Sequence, residues 1–177
     1  GRACALAFAA KGARVAVTDM RVDAAAETAR LLEAKGATAL ALALDVTSED
    51  SFAAAVSAIS AAWGGIDVLV NNAGVATAGT VEESPIKQWD WVLNINVLGC
   101  VRGARAVIPT MKTQGGGHIV NVASFAGIAN PPAMASYNAA KAAVISLSET
   151  LRYEVHPAIG VSVACPERSR TPGSTAF

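Results

Sequence analysis

The sequence has few charged residues and no excess of either sign. Lys and Arg total 14, as do Asp and Glu, so the formal net charge is zero. A nucleic-acid-binding domain normally carries a basic excess, so no nucleic-acid partner is expected. Charged residues make up 16% and hydrophobic residues 53%, a balance that excludes a disordered chain. No uninterrupted apolar run reaches the roughly 18–20 residues that cross a bilayer, so no membrane partner is expected either.

Three cysteines and two histidines are too few and too scattered to form a recognisable site. Cys4, Cys100 and Cys165 lie far apart in apolar surroundings, a spacing that fits neither a disulfide framework nor a zinc site. We expect buried, reduced thiols, as in a cytoplasmic protein. His118 and His156 have no cluster of further ligands nearby, so no metal site is predicted.

Short apolar runs alternate with longer helical stretches along the whole chain. The runs predict strands over residues 14–18, 38–44, 66–71, 118–123 and 160–164. The intervening patterns predict helices over residues 2–11, 21–35, 48–63, 85–113 and 133–155. This alternation is typical of an α/β fold: a doubly wound parallel sheet in a three-layer α/β/α arrangement.

Polar residues follow three of the predicted strands, and ligands of such folds bind at the carboxyl ends of strands. Asp19 lies 18 residues after Gly1, the spacing at which an acidic residue holds the ribose 2′-hydroxyl of a dinucleotide. An Asp that caps the next helix fits this position equally well. Asp45-Val46 and Asn71-Asn72-Ala73-Gly74 end the next two strands, where an ordinary turn explains either segment taken alone.

Ser124, Tyr137 and Lys141 form the strongest chemical group. Tyr137 and Lys141 are four residues apart in a predicted helix, so they share a face and the ammonium can lie near the phenol. A free phenol titrates near pH ~10, and a nearby cation favours the phenolate, which makes such a pair a usable general acid and base. Ser124 could hold a substrate oxygen. The alternative is a surface Tyr with a solvated Lys, which is the usual meaning of an isolated Tyr-x-x-x-Lys.

Asn96 lies inside a predicted helix, although Asn is a weak helix former. A buried Asn in a helix needs a specific partner. It could order a water molecule near Lys141, or it could form a hydrogen bond between helices.

The chain resembles the short-chain dehydrogenase/reductase family over residues 1–166. The residues that carry the resemblance, in the family's order and spacing, are Asn71-Asn72-Ala73-Gly74, Asn96, Ser124, Tyr137 and Lys141. The resemblance implies an NAD(P)-binding Rossmann fold and an oxidoreductase that transfers a hydride between nicotinamide and a secondary alcohol or ketone. It also implies catalytic roles. Tyr137 exchanges a proton with the substrate oxygen, Ser124 steadies that oxygen, Lys141 favours the phenolate and binds the nicotinamide ribose, and Asn96 holds a water in a proton relay.

The resemblance further implies the residues that contact the cofactor. Gly1 matches the last glycine of the family's phosphate-binding turn, Asp19 the acidic residue that selects NAD, and Asp45-Val46 the pair that touches the adenine. The other implied contacts are Asn72, Ala73, Gly74, Tyr137, Lys141, Pro166 and Thr171. Asp19 favours NAD, whereas Arg21 could accept the 2′-phosphate of NADP and keeps that alternative open.

The chain departs from the family pattern towards both ends. The family's first strand lies between the strands that end here at Asp19 and Asn71, and it has no counterpart, so we expect a gap in the sheet. After Pro166 the family's glycine is replaced by Glu167, and the lid helices and last strand are not found. We therefore expect an incomplete Rossmann domain over residues 1–166 and an atypical tail over residues 167–177.

Two interpretations of function stay open. The leading one is an NAD-dependent oxidoreductase; the alternative is a catalytically silent fragment or nucleotide-binding scaffold that acts through oligomer contacts. The family pairs the helices of Asn96 and Tyr137 with those of a neighbouring subunit, which implies a homodimer or homotetramer. Residues 75–79 and 128–134 are expected to line the pocket, and their small apolar side chains favour an uncharged, hydrophobic small-molecule substrate.

Overall fold

The computed structural model describes residues 1–167, in which five strands and seven α-helices alternate. The strands are Val15–Asp19 (β1), Ala39–Ala43 (β2), Val68–Asn71 (β3), Gly117–Val122 (β4) and Ile159–Ala164 (β5). The α-helices are Arg2–Ala9 (α1), Val22–Glu33 (α2), Glu49–Trp63 (α3), Ile86–Leu93 (α4), Gly99–Thr113 (α5), Ala126–Ala129 (α6) and Ala135–Val155 (α7). A π-helical turn, Asn94–Leu98, joins α4 to α5.

Local sequence signals set the ends of several helices. α3 begins after Ser48, whose Oγ accepts a hydrogen bond from the Ser51 N–H at 3.1 Å, so the N-cap predicted from the sequence is present. The same helix ends at Gly64, which has a φ of 85°, a left-handed conformation that glycine adopts without strain. α4 follows Pro85, where the sequence predicts the start of a helix.

All strand pairs are parallel, which confirms the predicted α/β class. β1 pairs with β2, with Val15 opposite Ala39, whereas β3, β4 and β5 form a second sheet in that order. No ladder joins the two sheets within residues 1–167. The break separates β1 and β2 from β3, β4 and β5, and the family resemblance implies a gap in the sheet.

Helices cover the strands and bury the core between them. α2 packs on β1 and β2, whereas α5 and α7 pack on the second sheet. The largest buried apolar cluster joins α5, α7, β4 and β5 and consists of Ile66, Ala104, Val107, Met111, Ile119, Leu151, Val155 and Ile159. This packing fixes the strands so that their carboxyl ends, which position the site, lie along one edge.

Three details differ from the sequence-based predictions. Cys4 is exposed, because α1 has no buried residue; Cys100 is buried and Cys165 partly buried. α7 begins two residues later than predicted, since Ala133 has a left-handed φ of 58° that cannot continue a helix. The short helix α6 was not predicted at all.

The helical stretch Ile86–Thr113 is 28 residues long, with a mean hydropathy of 1.2. Length and composition alone would allow it to cross a membrane, although no uninterrupted apolar run of that length exists in the sequence. Core helices of folded domains pass the same test. Here Ala104, Val107 and Met111 of the stretch belong to the core cluster.

Candidate active site

The predicted site residues lie at the carboxyl ends of the strands and on the helices that face them. Residues 72–74 follow β3, Ser124 follows β4 and Pro166 follows β5. Asn96 comes from the π-helical turn, and Tyr137 and Lys141 come from α7. The fold therefore collects on one edge side chains that are far apart in sequence.

Asn96 is almost fully buried, with 1% of its surface exposed. Its Oδ1 accepts the Val75 N–H at 2.8 Å, and its Nδ2 donates to the Val75 carbonyl at 2.8 Å. The partner is thus the loop after β3, whereas the sequence suggested a water near Lys141 or a bond between helices. Its part in holding a water stays a prediction.

Gly74 marks the point where Asn96 and Lys141 come together. A Cβ atom at Gly74 would lie 3.3 Å from the Asn96 Oδ1 and 3.5 Å from the Lys141 Nζ. A glycine here lets two polar side chains approach the same stretch of backbone. The loop after β3 therefore lies directly against the predicted catalytic residues.

Lys141 is buried, with 4% of its surface exposed, which is rare for a lysine. Its Nζ donates to the Val122 carbonyl at 2.7 Å and lies 5.7 Å from the centroid of the Tyr137 ring. Burial lowers the pKa of Lys141 below its ordinary 10.5, because desolvation penalises the ammonium; the thiols of Cys100 and Cys165 oppose this shift. Groups with pKa values perturbed in this way are concentrated at functional sites.

Ser124 and Tyr137 lie on segments that pack together. The turn that begins at Ser124 leads into α6, and a Cβ at Gly127 would lie 2.6 Å from the Lys141 carbonyl carbon, so α6 rests directly on α7. The Ser124 Oγ accepts the Ala126 N–H at 3.1 Å. No hydrogen bond joins Ser124 to Tyr137 within the described part of the chain. The Ser124 hydroxyl proton is thus available to another acceptor.

Asp19 is exposed at the end of β1. Its Oδ1 accepts the Arg21 N–H at 2.9 Å, so the Arg21 backbone turns towards the carboxylate. The contact orients the carboxylate while leaving its other oxygen open to solvent. This geometry is compatible with both interpretations of Asp19 from the sequence, a turn residue and a ribose ligand.

Asp45 and Val46 form a tightly bonded turn after β2. The Asp45 Oδ1 accepts the Thr47 N–H at 2.8 Å and the Thr47 hydroxyl at 2.7 Å, and these two bonds hold the pKa of Asp45 below its ordinary value. Arg102 lowers it further by its charge. The guanidinium also donates to the Val46 carbonyl at 3.2 Å and to the Asn94 side chain at 2.8 Å. Arg102 therefore ties the turn after β2 to the π-helical turn.

The remaining predicted residues lie at the rim. A Cβ at Gly1 would lie 3.4 Å from the Asn72 Nδ2, so the start of α1 adjoins the loop after β3. Ala73 is exposed. The Pro166 carbonyl accepts the Phe125 N–H at 3.1 Å, which fixes the end of β5 beside Ser124. Thr171 and the rest of the predicted tail after Glu167 lie outside the described residues.

Val75 and Thr77 lie in the segment predicted from the sequence to line the pocket, but their contacts with Asn96 and Ser136 were not predicted. Arg102 was missed altogether. Arg102 had a visible signal, because it is a charged residue between two glycines, Gly99 and Gly103, in a mostly apolar helix. No pattern in the sequence indicated the contacts of Val75 and Thr77, since their partners lie far away in the sequence.

A sequence profile described as short chain dehydrogenase matches residues 1–176. The chain belongs to this family. Among its relatives, the 2-(R)-hydroxypropyl-CoM dehydrogenase of Xanthobacter autotrophicus is 38% identical over 177 residues, which cover 97% of this chain and 71% of the relative. SadH of Mycobacterium tuberculosis is 37% identical over 169 residues, which cover 93% of this chain and 60% of SadH. The chain therefore spans between three fifths and three quarters of the length of these relatives.

The fold of a solved structure agrees with this assignment. A crystal structure of an NAD⁺-bound xylitol dehydrogenase superposes with a TM-score of 0.91 and 37% sequence identity. The match covers 94% of this chain and 65% of the xylitol dehydrogenase chain.

Proposed function

We propose that this protein is an NAD-dependent oxidoreductase that moves a hydride between nicotinamide and a secondary alcohol or ketone. The observation that carries the proposal is the buried ammonium of Lys141, 5.7 Å from the Tyr137 ring and adjacent to Gly74. A buried charge costs free energy, so a fold that keeps one beside a phenol is best explained by acid–base chemistry. Membership of the family supports the same class of reaction.

The residues present fit a nicotinamide dinucleotide. Gly74 leaves open the space that a Cβ would fill between Asn96 and Lys141, and the exposed Asp19 carboxylate suits the hydroxyls of a ribose. Asp45 and Val46 would contact the adenine, and Lys141 the nicotinamide ribose. The NAD⁺ in the related xylitol dehydrogenase supports this choice, with NADP as the alternative. When bound, the nicotinamide accepts or supplies the hydride.

The chain's own residues handle the proton. During alcohol oxidation the Tyr137 oxygen takes the proton of the substrate hydroxyl, while the hydride leaves the carbon that bears this hydroxyl. During ketone reduction Tyr137 donates the proton to the carbonyl oxygen. The Lys141 ammonium favours the phenolate. Ser124 can donate its hydroxyl proton to the substrate oxygen, since its own oxygen already accepts the Ala126 N–H. We assign to Asn96 the ordering of a water that relays the proton.

The pocket walls support a small, uncharged, hydrophobic substrate. The two segments predicted to form the walls meet, because the Gly79 N–H donates to the Ala133 carbonyl at 2.9 Å. Both segments carry mainly small apolar residues, which offer no partner for a charged group. We also propose a cytoplasmic homodimer or homotetramer.

One observation favours a second candidate, a nucleotide-binding scaffold without catalysis that acts through oligomer contacts. No ladder joins the two sheets within residues 1–167. A cofactor that contacts both sheets would bind with lower affinity than a cofactor bound to one continuous sheet.

A substrate panel on the full-length protein separates the two candidates. Alcohols and ketones are screened with NAD(H), and turnover is compared with that of Tyr137→Phe, which should lose about 10²- to 10⁴-fold. Tyr153→Phe is the matched control, because Tyr153 lies on the same helix but is 80% exposed. If NADH binds but no substrate gives turnover that depends on Tyr137, the scaffold is the better description.

A further inference from the structure

Two hydroxyl groups meet beside Tyr137. The Thr77 Oγ1 and the Ser136 Oγ are 2.7 Å apart, although 59 residues separate them in the sequence. Ser136 directly precedes Tyr137 on α7 and is only 3% exposed. Thr77 belongs to the loop after β3. The pair therefore links this loop to the first turn of the helix that carries the proposed acid–base residue.

The same loop is tied to the segment before α7 at a second point. Gly79 donates its N–H to the Ala133 carbonyl at 2.9 Å and forms a parallel bridge with Met134. From the helix itself, the Asn138 Nδ2 donates to the Pro131 carbonyl at 2.7 Å. The residues just before Tyr137 are thus held from both sides.

On its other side the loop is fixed to the π-helical turn by the two bonds between Asn96 and Val75. The loop after β3 therefore connects the two helical segments that supply Asn96 and Tyr137. Between these segments, Thr77 contributes the only side-chain hydrogen bond from residues 75–79 to α7 in the described structure.

We propose that Thr77 and Ser136 are positioning residues: their hydroxyl pair fixes the first turn of α7, and with it the Tyr137 phenol, against the loop after β3. This inference rests on the proposed function of Tyr137. A misplacement of a reacting group by about 1 Å can cost up to about a hundredfold in rate. A short bond one residue away from the phenol is well placed to prevent such a shift.

The test uses the full-length protein and isosteric changes. Thr77→Val and Ser136→Ala should each lower kcat by about tenfold to a hundredfold. The KM for NAD(H) should change by less than about twofold, because the phenol moves while the other proposed cofactor contacts stay in place. The double variant should be no worse than either single variant, since both remove the same bond. Thr77→Ser keeps the hydroxyl and should restore kcat.

Ser148→Ala is the matched control. Ser148 lies on the same helix and is also 3% exposed, and its Oγ accepts from the Asn121 Nδ2 at 2.9 Å. Its removal should lower stability with kcat unchanged. Hydrogen exchange of the cofactor-free protein supplies a readout that does not depend on activity: Thr77→Val and Ser136→Ala should speed exchange in the first turn of α7, and Ser148→Ala should not.

The outcomes separate this inference from the proposed function. The positioning role is overturned if Thr77→Val and Ser136→Ala leave hydrogen exchange in the first turn of α7 unchanged. It is also overturned if exchange becomes faster in these variants but their kcat equals that of Ser148→Ala. Absence of turnover dependent on Tyr137 in the wild type overturns the proposed function instead, and exchange then still shows whether the hydroxyl pair holds the turn.

Discussion

Asn96 and Val75 are joined by two hydrogen bonds of 2.8 Å each, although 21 residues separate them in the sequence. The side-chain amide has the same donor and acceptor as a peptide group, so Asn96 acts on Val75 as a neighbouring strand would. It satisfies both backbone polar groups of a half-buried loop residue. It also holds the preceding Gly74 against Lys141.

Asn96→Ala should therefore destabilise the fold strongly. It leaves the half-buried Val75 N–H and carbonyl without partners, and an unsatisfied group of this kind costs up to about 1–3 kcal/mol. We expect the free energy of unfolding to fall by about 3 kcal/mol, measured by urea denaturation. Gln88→Ala on α4 serves as control and should stay within about 0.5 kcal/mol of wild type. A loss for Asn96→Ala as small as that of the control would contradict the structural role given to this pair.

The buried Cys100 thiol predicts a pH dependence of stability. Burial raises its pKa from 9.0 to about 11, with Lys141 opposing the shift. Between these values the folded state keeps the proton that the unfolded chain releases, so rising pH favours unfolding. From pH 9 to 11 the wild type should lose about 2 kcal/mol relative to Cys100→Ala.

Urea denaturation of both proteins at several pH values checks this prediction. Lys141 acts in the opposite direction, since its lowered pKa makes stability rise with pH up to about 10.5, but it is present in both proteins. The difference between the two curves therefore reports the Cys100 thiol together with its charge coupling to Lys141. Parallel curves over this interval would show that Cys100 ionises normally.

Arg102 should increase the affinity for the cofactor, although it lies on α5 and not in the turn after β2. It donates to the Val46 carbonyl and to Asn94, and so holds the proposed adenine-binding turn in place. Arg102→Met should weaken NADH binding about tenfold, equivalent to 1.4 kcal/mol, in a fluorescence titration. Arg105→Met, one turn further along and exposed, is the control and should bind NADH as the wild type does. Equal affinities of the two variants would rule out this role.

Asp19 should set the preference between NADH and NADPH. Asp19→Asn removes the negative charge but keeps an oxygen that can accept the Arg21 N–H, so the turn is preserved. Without the repulsion of a 2′-phosphate, the ratio of the two dissociation constants should shift about tenfold towards NADPH. Asp23→Asn, in the first turn of α2, controls for a general loss of charge. If the ratio of the two dissociation constants is unchanged in Asp19→Asn, Asp19 does not determine the preference between NADH and NADPH.

The fold was largely predictable because its signals are local. The apolar runs identify all five strands to within about two residues, and Ser48 and Gly64 bound α3. The π-helical turn was not predictable, since one additional residue in a 28-residue helical stretch hardly changes the apolar period. The predicted strands and helices nevertheless define the correct class of fold.

The site was predictable only where its residues are neighbours in the sequence. Tyr137 and Lys141 share a helix face by their spacing, and the structure places the ammonium 5.7 Å from the ring. The bond between Thr77 and Ser136 and the contacts of Arg102 depend on the paths of loops, which carry no periodic pattern. Exposure of Cys4 could not be anticipated either, because its apolar neighbours in α1 are themselves not buried.

A one-residue deletion in the π-helical turn would affect the flanking helices and Asn96 differently. Loss of one residue from Asn94–Leu98 would convert the turn to a regular α-helix and leave the flanking helices in register. The same deletion would carry Asn96 away from Val75. A one-codon deletion here would thus keep the helical path of residues 86–113 but remove the two hydrogen bonds that hold the loop after β3, so its cost would fall on stability rather than on helix geometry.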